Sequence, residues 1–478
     1  MSGLTTTFVS CRPPTSSTLP EGTTSLPIAP ISLWPMGTVE SVFTFPEELD
    51  KDKLEQAIGL LTSVWPTLGG RYVRRAREGE DGKFDFSFNL TSSPIPFSTQ
   101  TITSAPDPFP FPTRLVIQDT LHPYLPPLGP TYHIPNKDEP LFVVRLTTIL
   151  PFRSSVLGIN MSHLIGDGEM GLRLVKLLEL FYLHGEKVIV SINDDKEDVY
   201  RLSGFLLPTF GDHTKLPPFQ PEWDDLYSSW SSIGHDGQKR FEAFKHERET
   251  NERMTIEFNQ GEIKKLKDVW MDKEKTGILS GQDVLSGWWI QLMERLGMKI
   301  DLVEYVCSHR LFCVSHPSYP PDLPTLAANV SRVRTIALQP HQLAGLDPGQ
   351  IATLVRKAIN ELRSDPDITL PWLSGAAHHL EQAAIQDRGQ ILACGDGQVF
   401  INSNIRMNWH VSFGFQPHQT TYHTAHTGLR YLRVYQANPR EGERLGERVE
   451  LAFRLPKGGM KEAAENLVRN DQQELADM

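Results

Sequence analysis

A strand that ends on a histidine and turns through glycines into an amphipathic helix constrains this chain more than any other feature. Residues 141–149 and 155–161 are two apolar, β-branched runs joined by Leu150-Pro151-Phe152-Arg153. The second run leads into His163-Leu164-Ile165-Gly166-Asp167-Gly168. Met170, Leu174, Leu177, Leu178 and Phe181 then recur at three and four, the stripe of a helix packed on one side. Gly185 stands where such a helix takes its C-terminal cap. This order of strand, tight turn and helix predicts an α/β chain with His163 held at a sheet edge.

Histidine is the side chain whose ordinary pKa suits proton removal near neutral pH, so His163 is the candidate general base. Asp167 is placed to accept backbone N–H groups of the turn or to pair with an arginine. The plainer reading is a loop histidine followed by a helix-capping aspartate. A rival uses the same residues: Gly166, Gly168 and Gly171 match a dinucleotide fingerprint, with a second strand at 188–192 ending near Asp194. That oxidoreductase reading puts Asp167 and Glu169 beside a pyrophosphate, where two negative charges oppose it. His410, His418, His423 and His426 raise a metal site, but their spacing fits no single helix face and they are read as loop residues, with no metal expected.

The rest of the chain divides on its punctuation. Residues 1–30 are an extended Ser/Thr/Pro-rich lead-in, 39–45 alternate as a strand, and 54–65 carry a helical stripe capped by Asp50 and stopped by Pro66. Prolines crowd 92–140 into an irregular excursion. Residues 190–250 are polar, with charge runs, and read as a linker. Beyond it come a strand at 254–258, helices at 262–271 and from Ser280, strands at 305–314, 399–402, 431–435 and 449–455, and helices at 347–362 and from 459 onward. Trp288-Trp289 at helical spacing reads as core. The expected organisation is an N-terminal domain over 1–200, a crossover linker over 201–250 and a C-terminal domain over 251–478.

The 478 residues carry a net charge of −11, which argues against nucleic acid or an anionic membrane as main partner. Cys11, Cys307, Cys313 and Cys394 show no CxxC spacing and suit a reducing compartment. The opening residues lack a secretory signal and no run approaches a membrane span, so cytoplasm is expected and the sequons at Asn89, Asn160 and Asn329 are read as incidental.

His163-x-x-x-Asp167-Gly168 resembles the signature of the BAHD acyltransferases, fungal branch, within the chloramphenicol acetyltransferase-like superfamily. Further segments agree in order along the chain: residues 31–72 with the family's opening strand, helix and Gly-Arg ending (Gly70-Arg71); Ser280-Gly281-Gln282-Asp283-Val284-Leu285 with its Ser-x-x-Asp-x-Leu helix start; and Leu323-Pro324 through Ala328-Asn329 with its Leu-Pro…Gly-Asn loop. Ser412-Phe413-Gly414-Phe415-Gln416, after Ile401-Asn402-Ser403-Asn404, stands where the family has Asp-Phe-Gly-Trp-Gly. There Ser412 replaces the Asp and Gln416 the final Gly. Trp34-Pro35 stands about where an early Asp belongs.

The resemblance implies two chloramphenicol-acetyltransferase-like α/β domains, mixed sheets flanked by helices, with a central channel. It implies acyl-CoA as co-substrate with no bound cofactor, and transfer to a hydroxyl or amine of a small hydrophobic secondary metabolite by a monomer. His163 is then the base, and Asp167, Gly168 and Gly414 support the site. CoA-binding residues stay unassigned. Lys264, Lys265, Lys267, Lys273 and Lys275 are candidates, though a solvated helix face explains them equally well. A non-catalytic binder with the same fold is the remaining alternative.

Overall fold

The computed structural model describes residues 2–15, 19–34, 37–103, 121–127, 133–193, 251–274, 278–308, 327–329, 331–337, 346–390, 397–424 and 428–477, with shorter pieces between 208 and 250. Two six-stranded mixed sheets organise it. The first runs Ser2–Val9, Ile95–Ile102, Phe142–Ile149, Ser154–Ser162, Thr38–Phe45, Thr421–Thr424. The second runs Asn251–Asn259, Arg448–Pro456, Tyr431–Gln436, Gly397–Ser403, Ile300–Ser308, Ser331–Ala337. Each mixes parallel with antiparallel pairs, so the α/β expectation holds.

Helices cover the apolar face of each sheet. In the first, Lys51–Val64 starts where Asp50 accepts from the N–H groups of Asp52 and Lys53, satisfying donors that a helix start leaves orphaned. It buries Leu54, Ala57, Ile58, Leu61 and Val64 with Phe43, Phe45, Leu157 and Ile159. In the second, Gln260–Glu274, Gly281–Arg295, Pro348–Ser364 and Met460–Asp477 close over Val303, Val399, Leu432 and Leu451. Trp288 and Trp289 lie in that core, as the spacing predicts.

Several expectations shift. The lead-in contributes the edge strand Ser2–Val9. The proline-rich excursion holds the strand Ile95–Ile102. The strand expected at 305–314 runs Ile300–Ser308, and 309–314 lie outside the described residues. Pro366–Ile385 is a helix with Pro371 inside it, where no element is expected. Pro366 opens that helix behind the cap Asp365. Residues 188–192 belong to the helix Lys187–Asn193 and not to a strand. The strand before Gly166 pairs antiparallel on both sides, so the dinucleotide reading loses its βαβ frame.

Segments cross between the halves. Thr421–Thr424, numbered within the expected C-terminal domain, pairs antiparallel with Thr38–Phe45 in the first sheet. Ala29 and Ile31 pack into the second core, while Trp409, Val411 and Phe413 pack into the first. Most of 201–250 lies outside the described residues, apart from pieces such as the turn Pro221–Leu226 and the strand Ile233–His235.

Glu304 lies on the face of the second sheet turned away from the helices and is 3% exposed. Burial pushes its carboxyl from about 4.5 up to about 7. The folded chain therefore holds this proton more tightly than the unfolded chain, and stability falls as pH rises from about 4.5 through 7. The loss is roughly 2–4 kcal/mol by linkage. Urea denaturation at pH 5.5 and 8 should show it in the wild type. Glu304→Gln is expected to flatten the difference, and an unchanged slope in that variant would assign the pH dependence to other groups.

Candidate active site at His163

The strand Ser154–Ser162 is buried along its whole length and delivers His163 at its end. The His163 N–H donates to the Gly37 carbonyl at 3.3 Å, continuing the antiparallel pairing in which Thr38 faces Ser162. Gly37 sits at φ +84°, and a Cβ there would stand 3.7 Å from His163 Cδ2. The chain then turns through Gly166, where a Cβ would fall 2.5 Å from Met170 Cβ. Only glycine allows that approach.

Asp167 is 1% exposed and caps the helix Gly168–His184. Its Oδ1 accepts from the N–H groups of Glu169 and Met170, each at 3.2 Å. Gly168 opens the helix, and a Cβ there would meet ordinary contacts with Asn404 and Trp409. Gly171 packs against Val39 and Met161.

Two distant residues meet His163. The Trp34 ring stacks on the imidazole at 5.2 Å between centroids and 17° between planes. Asn329, fully buried, brings its amide nitrogen to 3.5 Å from His163 Nδ1. With the amide nitrogen toward the ring, Nδ1 accepts and Nε2 carries the proton. With the amide oxygen there, Nδ1–H donates and Nε2 has the free lone pair. Sequence reasoning noted Trp34 and Asn329 as positions in the resemblance and assigned neither a contact. Pro35 and Leu323-Pro324 lie outside the described residues.

A small cleft, with a cavity of about 20 Å³, opens near this group. Leu164 and Ala328, the chain neighbours of His163 and Asn329, line it with Leu26, Ile28, Phe88, Phe210 and Ala327. Ser32 and Thr67 supply side-chain hydroxyls there.

The late motif lies elsewhere. Glu179 Oε1 accepts from Ser412 N at 2.6 Å, Ser412 Oγ at 2.8 Å and Phe413 N at 2.9 Å. Phe413 packs on Phe45 and Tyr182, both at 5.1 Å. Gly414, at φ +97°, turns the chain beside Leu183. The loop thus clamps the far part of the helix that Asp167 begins.

Among the described residues no three His, Cys, Asp or Glu side chains gather as a metal group. His410 shares its Nε2 with the Pro417 carbonyl and the Thr420 hydroxyl, and burial lowers its pKa. His423 lies in a strand beside Thr421, His418 in a short turn, and His426 outside the described residues. Of the candidate lysines, Lys264 pairs with Asp268 and Lys265 reaches the Leu475 carbonyl, on the outer layer of the second half. Lys267 is on the same helix, and Lys275 is outside the described residues.

No protein-family model matches the chain, and no curated protein matches it. Solved structures do. TRI101 of F. sporotrichioides, complexed with coenzyme A and T-2, superposes with a TM-score of 0.61 at 14% identity, over 93% of this chain and 97% of that one. TRI101 of F. graminearum, complexed with coenzyme A and T-2 mycotoxin, gives 0.61 at 13%, over 92% and 96%. Vinorine synthase gives 0.58 at 12%, over 97% and 96%. At these identities the likeness is one of fold, and over nearly its whole length this chain has the fold of the BAHD-type acyltransferases that its histidine motif resembles.

Proposed function

We propose that the chain transfers an acyl group from an acyl-CoA to a hydroxyl or amine of a small hydrophobic metabolite, with His163 as general base. The acceptor's proton passes to His163 Nε2 while Asn329 turns its amide oxygen to hold Nδ1–H. The freed oxygen or nitrogen attacks the thioester carbonyl, and a tetrahedral oxyanion forms. Collapse breaks the carbon–sulfur bond, and the CoA sulfur leaves with the proton that the imidazolium held. No acyl-enzyme is required. The stacked Trp34 ring holds the imidazole plane in place at the end of its strand. Asp167 supports the turn as a helix cap and carries no charge relay in this reading. Gly168 and Gly414 support the elements on either side.

The observation that carries the proposal is the meeting of His163, Trp34 and Asn329 beside an apolar cleft, on a fold whose solved relatives include coenzyme A complexes. No helix among the described residues is long and apolar enough to cross a membrane; we take the chain to act in the cytoplasm as a monomer.

Incubation with acetyl-, malonyl-, hexanoyl- and benzoyl-CoA and a panel of hydrophobic alcohols and amines tests this. Free thiol should appear together with an acylated product mass. Binding of CoA thioesters with no transfer to any acceptor would favour the non-catalytic binder, and tight binding of NAD or NADP with no response to any thioester would refute the acyl-CoA reading.

A further inference from the structure

The face of the second sheet turned away from its helices carries an arginine, Arg433, whose hydrogen-bond partners among the described residues are all uncharged. Val303, Ile401, Leu432 and Val434 fill the core under the helices, so strand alternation puts Val306, Asn402 and Arg433 together on the opposite face. The pairings Tyr305–Ile401 and Asn402–Arg433 place these three in one row across the sheet. All three keep part of their surface accessible, while Phe400, Tyr431 and Tyr435 beside them are buried.

Arg433 donates from Nε to Tyr435 Oη at 2.6 Å, from Nη1 to Tyr431 Oη at 3.1 Å and from Nη2 to Thr424 Oγ1 at 3.4 Å. The Tyr431 and Tyr435 rings lie 5.7 and 5.5 Å from its guanidinium carbon. All three acceptors are neutral hydroxyls. Glu450 pairs with Arg253 at 3.5 Å, and Arg253 also donates to the Thr424 carbonyl at 3.1 Å. The guanidinium groups of Arg433 and Arg253 therefore both bond Thr424, and Glu450 pairs with the second. A charge held mostly within the protein, between two buried tyrosines, is normally paired. Three of its five N–H groups are used, and one remains on each Nη nitrogen, the number a carboxylate takes in a two-pronged pair.

Thr424 also links this arginine to His163. It pairs with Ser41, three residues along the strand from Thr38, which pairs with Ser162. Three residues along the strand and the two strand spacings on either side of it separate Thr424 from Ser162 by roughly 14 Å, within the span of an extended metabolite or an acyl-CoA tail.

We propose that Arg433 binds a carboxylate carried by one of the two substrates, so that the enzyme handles a carboxylated acyl group or a carboxylated acceptor. This rests on the acyl-CoA reading above. It adds an anionic anchor, held between the two tyrosines, to the apolar cleft beside His163.

Titration calorimetry on the full chain tests it with two matched comparisons. Sebacoyl-CoA, a ten-carbon dicarboxylic thioester whose free carboxylate can reach that far, is set against decanoyl-CoA for the donor, with acetyl-CoA as the reference thioester, and 3-(4-hydroxyphenyl)propanoate against its methyl ester for the acceptor. In one comparison the charged member should bind about tenfold or more tightly, the size of a charge-assisted hydrogen bond. Which comparison shows it identifies the substrate that carries the carboxylate. Arg433→Gln should bring the ratio to within about twofold, and Arg433→Lys, which keeps the charge without the fork, should retain part of it. If the Gln variant fails to fold, the Lys variant decides. Equal binding in both comparisons would overturn the proposal, as would a preference unchanged in the variant that folds. Absence of acetyl-CoA binding would count against the acyl-CoA reading itself, while the acid and its ester would still test Arg433.

Discussion

Acyl transfer by His163→Ala is expected to fall by about 10² to 10⁴, the usual cost of losing a general base. The side chain is partly exposed, and its stack on Trp34 and its contact with Asn329 are local to the end of one strand. The melting transition should therefore move little. Turnover with saturating acyl-CoA and acceptor, read beside the thermal melt, separates lost chemistry from lost fold. A variant that still turns over within a few-fold of wild type would remove His163 from the proton-transfer step.

Arg356→Met is expected to destabilise the chain by about 3–5 kcal/mol, the cost of stranding a buried carboxylate. Asp283 is fully buried, and its Oδ2 collects four donors. These are Ser280 N at 2.6 Å, Ser280 Oγ at 2.7 Å, Arg356 Nε at 2.8 Å and Arg356 Nη2 at 2.5 Å. The other carboxylate oxygen is buried with no partner. Denaturant titration measures the loss. The double variant Asp283→Asn with Arg356→Met, which removes both charges, should recover part of it, because the penalty lies in the uncompensated charge. A single variant within about 1 kcal/mol of wild type would show that water reaches Asp283 and replaces the arginine.

These predictions draw on different kinds of information. The capping of helices by Asp50 and Asp167 was legible because the donor and acceptor lie within three residues of each other. The strand before His163 was legible for a similar reason, since an unbroken apolar run bounded by turn residues has few other uses. Legibility failed where context outweighed local preference. No element is expected over 366–385, yet Pro366 and Pro371 sit in one helix there. Residues 188–192 have strand-like composition, yet they form a helix on the end of its predecessor.

The sequence by itself determined the strand, turn and helix that present His163, the helix that follows Asp50 and the caps at Asp50 and Asp167, because each is decided by residues a few positions apart. Tertiary structure alone decided what His163 meets. Trp34 and Asn329 reach it from separate segments, and Thr421–Thr424 crosses into the first sheet to stand against Arg433. Those meetings depend on strand register and on how two cores pack, which are set by contacts spread over the whole chain. A one-residue slip in the pairing of Thr38 with Ser162 would turn every side chain of that strand to the other face.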